Sequence, residues 1–64
     1  LEIWKLRAQR EPTNVDTLAS LAMAYKQAGN SSEGMKILRQ IDTMAPQYHD
    51  ELVKLAKEQF GQEL

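Results

Sequence analysis

Cysteine is absent from the chain, and with it go disulfides, thiolate nucleophiles and cysteine-ligated metals. A core in so small a protein must then be held by packing alone. Proline occurs twice and glycine three times, while β-branched residues are scattered rather than alternating, so no strand pattern emerges. No apolar run nears the roughly 20 residues needed to span a bilayer, and no signal peptide precedes the globular pattern. Nor is one sign of charge in excess: eight Lys and Arg face nine Asp and Glu, for a net charge of −1. With a pI near 5.7, neither nucleic acid nor membrane insertion is expected. A chain of 64 residues makes at most one small domain, burying only about 60% of the surface it exposes unfolded. A roomy internal active site is not expected of it. The chain opens at Leu1 rather than Met, inside a helical pattern, and reads as a piece of a longer protein. Composition leaves its compartment undetermined, and a soluble, cytoplasmic setting is the working expectation.

What is there is helical periodicity. Leu18, Leu21, Ala22, Tyr25 and Ala28 recur at three- and four-residue steps, which predicts a helix from about Val15 to Ala28. Gly34, Ile37, Leu38, Ile41 and Met44 repeat the arrangement. A further stripe of Tyr48, Leu52, Leu55, Ala56 and Phe60 begins after Pro46, and an earlier one of Leu1, Trp4 and Ala8, flanked by Ile3 and Leu6, ends before Pro12. Thr13 or Asn14 offers a cap for the second helix. Gly29 suits the left-handed position that ends it. Asn30 followed by Glu33 has the spacing of a capping box for the third. The short linkers predict antiparallel neighbours.

Sliding the chain against itself by 34 residues places Pro12 over Pro46, Asp16 over Asp50, Leu18 over Leu52, Leu21 over Leu55, Ala22 over Ala56 and Ile3 over Ile37. The identities fall on apolar and turn positions, so the unit is a helix pair. Leu18, Leu21, Ala22, Tyr25, Gly34, Leu38 and Pro46 then resemble the tetratricopeptide repeat (TPR) pattern in order and size class. Leu18 stands for the usual Trp, Leu38 for an aromatic, and Ala22 and Gly34 exchange the usual Gly and Ala. The resemblance implies an all-α fold of four helices, antiparallel helix-turn-helix repeats in a right-handed α-solenoid fragment. It divides the chain into the second helix of a preceding repeat (1–12), a complete repeat (15–48) and a following or capping helix (49–61). Close approach is expected between Ala22 and Gly34, with Leu18, Leu21, Tyr25, Leu38 and Ile41 packed around it.

The remaining constellations read as structural. His49, Asp50 and Glu51 are adjacent on a helix and point in different directions, so they do not converge on a metal. Gly29 to Gly34 lacks the Lys of a phosphate-binding loop and follows no strand. One His, no Cys and no recognisable context around the Ser and Thr residues argue against a nucleophilic enzyme. Neither catalytic residues nor a cofactor or metal is expected. Met35 and Met44 are expected as core or inter-repeat filler.

The resemblance further implies a scaffold that binds a peptide or protein along a concave surface. Its offsets fall on Asp16, Ala19, Met23, Lys26 and Gln27 of one helix and Asp50, Val53 and Lys57 of another. Met23 and Val53 would supply apolar contact, and Lys26, Lys54 and Lys57 would attract acidic residues. Two alternatives stand beside this: an accessory domain docking a larger enzyme, and a homo-oligomerisation module. The second follows from Leu1, Ile3 and Trp4, which lack a partner helix and are expected to leave apolar surface uncovered.

Overall fold

The computed structural model describes all residues, 1–64. It contains four α-helices and no strand: α1 (Glu2–Arg10), α2 (Val15–Gln27), α3 (Ser31–Met44) and α4 (His49–Leu55), the last entered through a 3-10 turn (Pro46–Tyr48) and continued by a π-turn (Ala56–Phe60). The Cα atoms span 27 × 26 × 13 Å, so the arrangement is thin and both broad faces are open.

Local chemistry sets the boundaries of α2. The Asn14 side chain accepts a hydrogen bond from the Thr17 amide at 3.2 Å, satisfying one of the free donors of the first turn. At the other end Gly29 adopts φ +82, its N–H bonds the Lys26 carbonyl and the Asn30 N–H bonds that of Tyr25. This is the paired closure of a helix by a left-handed residue, open to glycine at no steric cost. The chain reverses there and α2 and α3 form a helical hairpin. The expected capping box at Asn30 does not form. Asn30 takes the N-cap position without a side-chain bond; its own N–H is already committed to Tyr25, which leaves Glu33 no donor there, and Glu33 pairs instead with Lys36 at 3.3 Å.

The hairpin holds most of the core. Leu18, Leu21 and Ala22 from α2 meet Met35, Ile37, Leu38 and Ile41 from α3, with Met35, Leu38 and Ile41 the largest side chains fully removed from water. Burial of each such side chain is worth about 1.5–3 kcal/mol. Backbones come closest at Gly34: a Cβ built there would lie 2.8 Å from the Ala22 carbonyl oxygen and 2.6 Å from the Phe60 ring. The Ala22 to Gly34 approach read from the sequence is therefore present, and Phe60 is a third party to it. Met44 is not a core residue: it ends α3 exposed, facing an open groove that the start of α2 also lines.

The outer elements add to this centre from either side. Trp4 and Ala8 of α1 pack on the core while leaving no residue of α1 fully buried. Leu52 and Ala56 close the other end, helped by half-buried Leu55 and Phe60. The last helix is not continuous α over 49–61. At Ala56 it widens, with the Gly61 N–H reaching back to the Ala56 carbonyl, and in this winding the Phe60 ring lies over Gly34. Tyr48 sits in the 3-10 turn and stays exposed. His49 reaches back across that turn, its Nδ1 2.8 Å from Asp42 Oδ1, a link between α3 and α4 that sequence adjacency did not reveal.

Candidate functional site

Helix α2 uses two faces. Leu18, Leu21 and Ala22 face the core, and the stripe at Ala19, Ser20, Met23, Ala24 and Gln27 is left to line an open groove of about 430 Å³. Trp4 of α1 and Leu55 of α4 complete its lining. Small side chains at positions 19, 20 and 24 keep the α2 surface low, while the indole, the Met23 thioether and Leu55 stand around it. None of the seven lining residues is ionised. A surface of this kind can accept an apolar side chain and hydrogen-bond through Ser20 and Gln27, and Met23 can reshape to fit.

Three of the residues expected on a binding face, Ala19, Met23 and Gln27, thus lie together. The others are distributed around them. Lys26 is half-buried and its Nζ donates to Gln59 Oε1 of the π-turn at 3.4 Å. Val53 is half-buried, whereas Asp50, Lys54 and Lys57 are exposed and take part in no ion pair. Asp16 lies elsewhere, in a second groove lined also by Val15, Met44 and Tyr48. A third open groove runs between α1 and α3, with Leu18, Leu21 and Ile37 beneath and Lys5, Gln9 and Gln40 at its rim. Lys5 is held there over the Tyr25 ring, 5.7 Å from its centroid.

Sequence reasoning missed the contribution of Leu55, whose place in an apolar stripe assigned it to the core. It also gives Trp4 an uncovered apolar face and no place in that groove. The indole is half-buried against the core, carries the Arg7 guanidinium 5.2 Å from its ring, and still lines the α2 groove. Only the folded juxtaposition of three helices shows this. No three His, Asp or Glu side chains lie close enough to hold a metal ion, and no helix is long and apolar enough to cross a membrane. Comparison with protein-family models, with curated proteins and with solved structures gives no match.

Proposed function

We propose that the chain is a protein-interaction module of the TPR type, its 34-residue helix pairs stacking as a right-handed solenoid and its α2 groove holding a segment of a partner protein. One observation carries the reading: Ala19, Met23 and Gln27, chosen by repeat offset alone, line one groove with Trp4 and Leu55 on either side. Exposed Lys54 and Lys57 beside α4 make the fitting partner an apolar segment flanked by acidic residues. Chemistry is assigned to no residue of this chain.

Selection of a displayed peptide library on the chain tests this. Apolar peptides with acidic flanks should be enriched on the parent and lost on the Met23→Lys variant. Kinetics of a selected peptide then separate the roles. Met23→Ala should mainly speed dissociation, whereas Lys54→Glu with Lys57→Glu should slow association and flatten its salt dependence, because exposed charges act on encounter and are screened. Peptides that bind parent and Met23→Lys equally would place the partner on another surface.

A further inference from the structure

The large apolar side chains that remain exposed fall into two sets: Leu1, Ile3 and Leu6 on α1, and Met44 with Tyr48 after α3. The first set is the larger anomaly. Ile3 and Ile37 are the same residue one period apart, yet Ile37 is 9% exposed beneath α2 while Ile3 is 67% exposed with nothing over it. Ile3 and Leu6 share the outward face of α1 with Arg7 and Arg10, since steps of three and four residues return to one side of a helix. Neither arginine is ion-paired.

The second set lies in the groove of about 650 Å³ formed where α2 begins and the 3-10 turn follows α3. Its lining contains Asp16 and no basic residue, and α4, which starts directly after the lining residue Tyr48, carries Asp50 and Glu51 in its first turn. One apolar patch is therefore edged by positive charge and the other by negative charge.

The geometry points to a second copy of this chain as the occupant: α1 of one molecule seats Ile3 and Leu6 in the Met44 and Tyr48 groove of the next, with Arg7 and Arg10 against Asp16 and Asp50. Charge selects this over pairing of α1 with α1, which would bring the four arginines of two copies together. The contact joins unlike patches: two copies that exchange α1 reciprocally close a dimer, and otherwise each added molecule leaves one free patch of each kind and assembly proceeds head to tail. It uses surfaces other than the α2 groove and stands independently of the function proposed above.

Sedimentation velocity of the chain from low micromolar to near-millimolar concentration reads the outcome. The parent should associate as concentration rises, and Arg7→Glu with Arg10→Glu should lower its association about tenfold, as should Asp16→Lys with Asp50→Lys. Mixing the two variants should restore assembly, because a reversed head then meets a reversed groove. Ile3→Gln with Leu6→Gln, at positions too exposed to be needed for folding, should give a monomer with the parent's circular dichroism. A parent that stays monomeric throughout overturns the proposal. So does a discrete dimer that Asp16→Lys and Asp50→Lys leave intact, which would mean α1 pairs with itself, and so does a mixture of the two reversed variants that fails to assemble.

Discussion

A methyl group at position 34 would have nowhere to go, since the space it needs is taken by the Ala22 carbonyl and the Phe60 ring. The two obstacles differ in kind. Phe60 is a half-buried side chain that can turn aside, whereas the carbonyl belongs to the backbone of α2 and moves only if the helix does. Gly34→Ala gains up to about 1 kcal/mol of helix propensity against an overpacking cost of about 1–3 kcal/mol, and the expected result is a net loss seen as a lower melting temperature. Adding Phe60→Leu should recover only the part owed to the ring; full recovery would mean the carbonyl contact is slack. At Gly29 the reasoning inverts. A Cβ there meets nothing within 4 Å, but φ is +82, so Gly29→Ala should cost about 1–2 kcal/mol through the backbone alone. Gly29→Asn should cost less, because Asn tolerates the left-handed region. Equal melting temperatures for the two variants would contradict this. Both glycines were legible in the sequence, one from its place after a stripe and one from its repeat offset. The failed capping box at Asn30 was not, because spacing says which groups are near and not which are already bonded.

Among the elements, α2 and α3 are secured by a shared core, while α1 places only Trp4 and Ala8 against it and adds Lys5 over the Tyr25 ring. That difference should be visible because Trp4 is the sole tryptophan. Its emission reports the docking of α1, and far-ultraviolet ellipticity is dominated by the longer central helices. The expected outcome is that fluorescence melts before ellipticity, as local opening of the weakly buried end precedes loss of the hairpin. Coincident curves would instead make the chain a single cooperative unit. The ends of the first three helices were readable from stripes and punctuation, since Pro12, Gly29 and Pro46 fall just past where those helices stop. The π-turn was not readable. Leu52, Leu55, Ala56 and Phe60 have the same spacing in an α-helix, and only the fit of an aromatic ring over a glycine in another helix shows where the last turn widens. For the same reason the groove was half foreseen: α2 supplied its floor by offset, but Trp4 and Leu55 enter it from helices whose placement depends on the assembled core.

At the scale of the molecule, the two largest packing interfaces join consecutive helices, α1 on α2 and α2 on α3, while the π-turn reaches back past α4 to pack on α3. Loop closure is then inexpensive for the α1, α2 and α3 contacts, and only the docking of Phe60 over Gly34 must wait for a segment further along the chain. Refolding should accordingly be complete within microseconds to milliseconds, followed by Trp4 emission after a temperature jump; a phase lasting seconds would contradict the sequential contact map. The lone exposed histidine link, from His49 to Asp42, ties α4 to α3 where their packing is thinnest. The thin outline has an evolutionary side as well. If helix pairs stack as proposed, a slab 13 Å through whose two largest interfaces join consecutive helices would let duplication of one pair lengthen it without redrawing what is already folded, and gain or loss of whole 34-residue units would be the change its lineage absorbs most readily.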